Sequence, residues 1–489
     1  MFLIVRLVRA LFVFGIIFVS YLVQLGLARV FGKLPPGRSA ILGRELPPWL
    51  QARRKRVDAK NAKRMLHGML RLRGVFIKLG QVLSIMGGFL PRAYTKELEQ
   101  LQDSVPPHPF SDLVAACKVA FGKPPKEVFR DIDETPLAAA SLGQVHVAHL
   151  HDGRKVAVKF LYPHIREIVA VDMRVVRLAM RAYQWFVPVT KLERVHESLV
   201  DLLRRETDYL HEAACMERMA KNFAGEANMA FPDPVHELTT RDVLVMTFMN
   251  GTKITKVEDL RALGVPTSEV AVRLIQSFYK MLFVDRFFHA DPHPGNFLVE
   301  KLDGGGFRVV VLDFGAICEA RATLIDGLLE CVQGVFMEDD AVTLSGFFKM
   351  GFVAEGGNRD LIEKTARTYL GKLLKIKDRT PAALMKQRPE DLQKLADPEV
   401  ERKELQDLMR SFEYPEDWFY VERACVMMFW LCAQIDPTVD TMTAGLPYVL
   451  PLVMAKQAQA AQAAEAALAA KAAEVAQLEA PEQASLALA

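Results

Sequence analysis

Apolar and polar positions divide the chain into an uncharged opening, a mixed middle and an alanine-rich close. Residues 10–28 (ALFVFGIIFVSYLVQLGLA) carry no charge, and about 20 such residues are what one helix needs to cross a bilayer. They predict a membrane anchor over residues 1–32. A secretory signal peptide is the rival reading, opposed by Arg6 and Arg9 deep in apolar sequence, the length of the run and a poor small-x-small cleavage signal after it. From Lys60 to Gln102 the period is helical, which gives a helical extension over 33–125. Residues 145–150 and 156–160 then alternate as β-branched strands around His151-Asp152-Gly153-Arg154 and predict a hairpin. Helices follow over 172–186 and 195–223, a strand over 243–249 and a helix over 268–288. A second hairpin, 297–300 with 309–312, turns at Gly304-Gly305-Gly306. The pattern is α+β, with a β-rich lobe over 126–250 and a helix-rich lobe over 251–454. Residues 446–454 are apolar but short and interrupted by Pro447 and Pro451, so a second span is not expected. Residues 455–489 read as a peripheral helical tail with little to bury.

A chain of 489 residues with 51% hydrophobic and 25% charged positions is neither a small stapled scaffold nor a disordered protein. Lys+Arg 62 against Asp+Glu 59 is too balanced for extensive nucleic-acid binding. Its 6 cysteines show no CxxC pair and no histidine at zinc spacing, which fits a reducing compartment and buried, unreactive thiols. Cations are denser after the apolar run (Arg29, Lys33, Arg38, Arg44, Arg53, Arg54, Lys55, Arg56) than before it (Arg6, Arg9). The positive-inside rule then predicts a single-pass anchor in the inner (cytoplasmic) membrane with the catalytic domain in the cytoplasm. Arg53 to Arg56 read equally as a contact for anionic headgroups or as a solvated helix face.

Three motifs carry chemistry. Val156-Ala157-Val158-Lys159 sets a lysine among apolar strand neighbours, where a flexible cation reaches ATP phosphates from a dry cleft. His289-Ala290-Asp291 followed by Asn296 keeps the spacing of a kinase catalytic loop: a carboxylate for the attacking hydroxyl and an amide oxygen for a metal. Asp313-Phe314-Gly315 supplies the carboxylate that holds magnesium. Each triplet is ordinary alone; their order together is not. Against a conventional protein kinase stand Ala290 in place of the loop arginine, His293 in place of the lysine after the catalytic aspartate, and the lack of an APE triplet after Gly315. The glycine-rich phosphate flap is replaced by Ala138-Ala139-Ala140-Ser141-Leu142-Gly143-Gln144, whose alanines lack the backbone freedom of glycine.

Residues 136–146 (PLAAASLGQVH), Lys78-Leu79-Gly80-Gln81, Glu206-Thr207-Asp208 and residues 289–296 (HADPHPGN) resemble the UbiB or aarF-domain family of atypical kinases over roughly residues 60–450. The resemblance implies a two-lobed protein-kinase-like fold, with the Lys-x-Gly-Gln helices packed over the active site and the Glu-x-Asp element against them. It implies ATP and Mg2+ as cofactors, Asp291 as catalytic base or water-orienting carboxylate, and Asn296 with Asp313 as metal ligands. Nucleotide contacts would come from Ala138, Ala139, Ala140, Ser141, Lys159 and Met246, beside the hinge position Thr247. Lys159 would pair with a helix glutamate; Glu212 is preferred over Glu206, and sequence leaves both open. Lys78 and Gln81 share a helix face, so Glu206 and Asp208 are candidates to receive the cation in an occluding or merely structural salt bridge.

Expected partners are a membrane lipid or prenylated quinone precursor and quinone-biosynthesis enzymes, with no nucleic acid. The leading function is a membrane-anchored, Mg-ATP-dependent kinase or ATPase supporting ubiquinone biosynthesis or related isoprenoid-lipid handling. The alternatives are a non-catalytic ATP-binding lipid chaperone and, less favoured, a conventional protein kinase. Two departures from the family stand out: the usual Ser-Thr-Arg-x-Asp run reads Ser84-Ile85-Met86-Gly87-Gly88, and the apolar span is N-terminal rather than C-terminal.

Overall fold

A computed structural model describes residues 2–32, 46–85, 91–101, 107–184, 192–364, 367, 380, 411–413, 415 and 417–486. In chain order the helices are α1 (Phe2–Phe31), α2 (Pro48–Leu72), α3 (Val75–Ile85), α4 (Arg92–Leu98), α5 (Phe110–Phe121) and α6 (Pro125–Val128). Then come β1 (Asp131–Ile132), β2 (Ala138–Ala139), β3 (Gly143–His149), β4 (Lys155–Leu161), α7 (Ile165–Gln184), α8 (Leu192–Glu206) and α9 (Tyr209–Asn222). These lead to β5 (Met229–Ala230), β6 (Val243–Thr247), β7 (Thr252–Lys253), α10 (Val257–Ala262), α11 (Thr267–Tyr279), β8 (Phe287–His289), β9 (Phe297–Lys301), β10 (Phe307–Val311) and β11 (Ile317–Glu319). The last described helices are α12 (Ala322–Met337), α13 (Asp340–Met350), α14 (Trp418–Ile435) and α15 (Thr441–Leu486).

The chain packs as two compact units. The first holds Met1–Val270, His289–Cys318 and Glu416–Leu431. Its main sheet runs β1-β3-β4-β6 with β2 on β3. The β3–β4 hairpin closes at Gly153, whose φ of 91° suits glycine, and the Asp152 carboxylate accepts the Arg154 N–H at 2.9 Å. Strand alternation then sorts β4: Val156, Val158 and Phe160 join Leu113 and Cys117 of α5 in a buried cluster, so Lys159 falls on the opposite face. Phe160 is opposite Val243, and Lys159 opposite both Val145 and Leu244. A second sheet, β5-β10-β9-β7, pairs β9 and β10 antiparallel and β5 parallel to β10.

Helix α1 is long and apolar enough to cross a membrane by length and composition. The helical extension breaks at Arg73 and Gly74, both at φ 57°, and this turns the chain from α2 into α3. Gly80 lies where α3 crosses its neighbours; a Cβ there would strike Leu101 and come within 2.8 Å of the Met69 sulfur.

The second unit contains Ala271–Phe288, Glu319–Pro415 and Cys432–Ala489. Here α12 and α13 approach closely through Gly327, Gly334 and Gly346, and the Asp339 carboxylate accepts the Ala341 N–H at the start of α13.

Three expectations change. The helix expected over 195–223 divides at Thr207 and Asp208, because Asp208 caps a new helix by accepting the His211 N–H at 3.3 Å. The helix expected over 268–288 ends as a π turn, Lys280–Val284, followed by Arg286 at φ 52° and strand β8. The interrupted stretch at 446–454 belongs instead to the continuous helix α15, which begins before Pro447 and runs past Pro451. Lys33, Arg38 and Arg44, Met86 to Gly88 and residues 185–191 lie outside the described residues.

Candidate functional site

The site is assembled within the first unit from four directions: strand β4, helix α9, the loops around β8 to β11, and helices α3 and α14. Lys159 leaves β4 and donates to Glu212 Oε1 at 2.7 Å and to Asp313 Oδ1 at 2.5 Å. Glu212 is fully buried in the first turn of α9 and also accepts the Phe314 N–H at 3.3 Å. One carboxyl thus ties the strand lysine to the Asp313-Phe314-Gly315 segment. Lys159 meets Glu212, whereas Glu206 meets Lys78.

One buried cation between two carboxylates sets the local charge balance. Burial depresses the Lys159 ammonium, but Asp313 and Glu212 outweigh it and hold it well above the ordinary lysine value. Burial pushes the Glu212 carboxyl up to about 7 against the pull of Lys159. Asp313 is also raised by burial, yet Lys159 and His289 leave it net below its ordinary value.

Asp291 lies in the loop after β8. Its carbonyl accepts the Asn296 side-chain amide at 3.2 Å and its N–H donates to His289 Nδ1 at 3.3 Å. The His293 ring accepts the Gly295 N–H at 3.1 Å, so the residue in the lysine position shapes the loop. Leu312 N–H donates to the Asn296 carbonyl at 2.9 Å and joins this loop to the segment leading into Asp313. His289 is buried, which lowers its pKa and favours the neutral ring.

Two cations enclose the Asp291 carboxylate. Lys78 of α3 donates to Oδ2 at 2.6 Å. Arg423 of α14 pairs with Oδ1 through Nη2 at 2.8 Å. Lys78 also forms an ion pair with Glu206 Oε1 at 2.6 Å. Burial would raise Asp291, but Arg423 and Lys78 prevail and hold it far below the usual carboxylate range. Glu206 moves the other way, raised by burial despite Lys78. A carboxylate so paired is a poor proton acceptor.

Not every predicted residue converges. Asp208 is not a receiver for Lys78: it caps α9 and pairs with Arg241 at 3.2 Å. The Gln81 amide donates to the Leu101 carbonyl at 2.9 Å. Ala138 and Ala139 form β2, opposite Val145 and Gln144, and Ala140 N–H bonds the Gly143 carbonyl at 2.8 Å. The alanine-rich segment is therefore a tight hairpin with buried Ser141 at its turn. Met246 is buried on β6 opposite Ala157. Arg423 was missed by sequence reasoning. Its signal was a Glu422-Arg423 pair in the otherwise uncharged helix WFYVERACVMMFWLCAQI.

Among the described residues no group of three or more His, Cys, Asp or Glu side chains is placed to hold a metal ion. Asp313 and Asn296 are a donor set of the kind magnesium accepts, one carboxylate and an amide oxygen completed by substrate phosphates. Asn296 uses its amide nitrogen toward Asp291, and its oxygen is the atom suited to a cation.

The profile of the ABC1 atypical kinase-like domain matches residues 100–345. The chain belongs to the ABC1 atypical kinase-like family. The expected kinase-like fold is borne out. This ABC1 chain is 30% identical over 418 residues to Protein ACTIVITY OF BC1 COMPLEX KINASE 8, chloroplastic, of Arabidopsis thaliana, covering 81% of itself and 54% of that relative. It is 33% identical over 263 residues to AarF domain-containing protein kinase 1 of Xenopus laevis, covering 54% of itself and 51% of that relative. The ABC1 chain thus spans about half the length of each. Among solved structures it is similar to a Mycobacterium tuberculosis protein in complex with erythromycin, with TM-score 0.49, 22% identity, and coverage of 81% and 97% of the two chains.

Proposed function

We propose that this ABC1-family chain is a membrane-associated, magnesium- and ATP-dependent atypical kinase or ATPase that supports ubiquinone biosynthesis or related isoprenoid-lipid handling. The observation that carries the reading is the buried Lys159, Glu212 and Asp313 constellation beside the Asp291 to Asn296 loop. In this reading Lys159 binds ATP phosphates and Glu212 holds its ammonium in place. Asp291 orients the attacking hydroxyl or water, while the hairpin of Ala138, Ala139, Ala140 and Ser141, together with Met246, shapes the nucleotide site. Magnesium held by Asp313 and Asn296 would supply neutralisation of phosphate charge. A membrane lipid or prenylated quinone precursor is the proposed client, with quinone-biosynthesis enzymes as protein partners. The proposed location is the inner membrane, with the catalytic domain on the cytoplasmic side.

The pairing of Asp291 with Lys78 and Arg423 supports the view that the described conformation is occluded. A working cycle then requires Lys78 to withdraw. The same pairing favours a second reading, an ATP-binding lipid chaperone that does not turn nucleotide over.

Magnesium-dependent ATP turnover by the purified chain, in detergent and then in anionic liposomes, tests the choice against Asp313→Asn. Turnover that rises with membrane and falls at least 100-fold in the variant, about 2.7 kcal/mol, supports the enzyme. Saturable ATP binding with no turnover in either setting leaves the chaperone, and equal turnover by the variant removes Asp313 from the site.

A further inference from the structure

In the apolar helix α1, Arg6, Ser20, Tyr21 and Gln24 lie along one stripe, and each is engaged by α2, α4 or α7. Gln24 Nε2 donates to the Leu50 carbonyl at 3.3 Å, and Gln24 Oε1 accepts from Arg53. Tyr21 hydroxyl donates to Asp58 at 2.5 Å and meets the Tyr94 hydroxyl at 3.0 Å. Asn61 donates to Ser20 Oγ at 2.6 Å. Val13 occupies the space a side chain at Gly68 would need. Arg6 then bonds both Asp172 oxygens, at 2.8 and 2.5 Å, and the Leu72 carbonyl at 2.5 Å. The contacts run antiparallel along the length of α2.

From Arg6 to Gln24 this stripe extends roughly 27 Å at about 1.5 Å per residue, close to the roughly 30 Å of a bilayer's hydrocarbon. The helix lying alongside carries Arg53, Arg54, Lys55, Arg56, Lys60, Lys63 and Arg64. Charges at that density do not enter hydrocarbon. Docking on α2 and crossing a bilayer are therefore mutually exclusive for α1, and crossing would abandon fully buried Asp172 without its cation. The opposite face of α1 exposes Ile4 (66%), Val8 (59%), Phe12 (68%), Val19 (55%) and Val23 (48%). Beside that face Arg9 is exposed, and on α2 so are Arg54, Lys55, Arg56, Lys60 and Lys63.

We infer that α1 remains docked and lies in the plane of an anionic bilayer surface, its outer face sunk at the acyl boundary. The amphipathic unit is the α1–α2 pair: one helix supplies the apolar face and the other the cations that match anionic headgroups. Both ends of α1 then stay on the same side of the membrane as the site. This inference rests on the membrane reading above and replaces its single-pass geometry.

The test uses the full chain with vesicles of equal parts phosphatidylcholine and phosphatidylglycerol. Single variants Ile4→Cys, Phe12→Cys, Val19→Cys and Val23→Cys carry an environment-sensitive fluorophore, with the unsubstituted chain as labelling blank, and depth is read by quenching from lipids labelled at graded positions. The expected result is one shallow depth for all four sites. Phe12→Asp combined with Val19→Asp should weaken vesicle binding at least 10-fold while detergent-phase ATP turnover stays at the parent level. Depths that pass through the bilayer centre from Ile4 to Val23 overturn the in-plane placement and leave the membrane reading standing. No binding of the parent chain to vesicles overturns both. A stable dimer in solution that shields Phe12 from labelling assigns the face to a second copy and overturns the inference.

Discussion

Replacing Lys78 with methionine keeps the apolar stem and removes the charge that holds two buried carboxylates. Lys78 Nζ is 2.6 Å from Asp291 and 2.6 Å from Glu206, with side-chain exposures of 11%, 12% and 12%. Asp291 keeps Arg423 at 2.8 Å, whereas Glu206 loses its cation. Deleting one partner of a buried pair costs about 3–5 kcal/mol, less whatever is recovered when Glu206 takes a proton, at about 1.4 kcal/mol for each tenfold gain in its proton affinity. Glu206 is already raised above 4.5 by burial, and Lys78 is what restrains it. With the restraint gone its folded value rises further. Below 4.5 the carboxyl is protonated in the folded and unfolded states alike; as pH climbs toward the folded value, the unfolded state ionises first and folding loses stability. The deficit of Lys78→Met is therefore expected to be about 3 kcal/mol at pH 8 and smaller at pH 5. Urea denaturation of parent and variant at both pH values measures it. Because Asp291 regains basicity when one of its two cations leaves, ATP turnover at pH 8 should rise at least 10-fold. A pH-independent deficit with unchanged turnover would refute the argument that Lys78 restrains these carboxylates.

Glu212, pushed up to about 7, gains a proton as pH falls from 8 to 6 and releases Lys159; the KM for ATP should rise over that interval, and Glu212→Gln should fix it at the low-pH value, as steady-state kinetics across pH will show. The same shift gives a stabilising contribution that is present below 4.5 and lost as pH rises to about 7, so the urea midpoint of Glu212→Gln should fall less between pH 5 and 8 than that of the parent. Gly80→Ala drives a methyl into Leu101 and Met69 and should cost about 1–3 kcal/mol in thermal unfolding, with ATP turnover per folded molecule raised by the displacement of α3.

Local motifs were legible because their geometry is set by neighbours in sequence. The β3–β4 hairpin follows from alternation around a glycine turn, and alternation alone puts Lys159 on the face opposite Val158. Asp291, Asn296 and Asp313 stand on adjoining loops for the same reason. The choice between Glu206 and Glu212 was less accessible, since it depends on a helix break at Thr207 that periodicity did not register. Asp208 ends one helix and caps the next, a backbone task that placed Glu212 in the first turn of α9 and left Asp208 facing Arg241. The contacts of α1 show a similar dependence. Composition reports that α1 is apolar, but the destinations of Arg6, Ser20, Tyr21 and Gln24 are fixed by side chains and a backbone carbonyl on α2, α4 and α7.

The loop around Asp291 shows the furthest separation between sequence position and physical role. Ala290 and His293 occupy the positions where a protein kinase carries cations, and by sequence the loop is electrically bare around Asp291. In the folded chain Lys78 arrives from far upstream and Arg423 from far downstream, and each takes one oxygen of the same carboxylate. Cations built into the loop would be permanent features of the site. Cations carried on α3 and α14 are conditional on how those helices pack, and α3 is joined to α2 through the Arg73-Gly74 turn, next to the Leu72 carbonyl that Arg6 of α1 binds. The ion pairing of Asp291 is thereby tied to the packing of the extension, and Arg6 of α1 bonds the carbonyl of Leu72, the last residue of α2 before the turn into the helix that bears Lys78. Arg6→Ala should accordingly loosen the α2–α3 junction and raise ATP turnover in detergent toward that of Lys78→Met, without touching a residue of the site; turnover unchanged in a stably folded Arg6→Ala chain would show that the two ends of this linkage are independent.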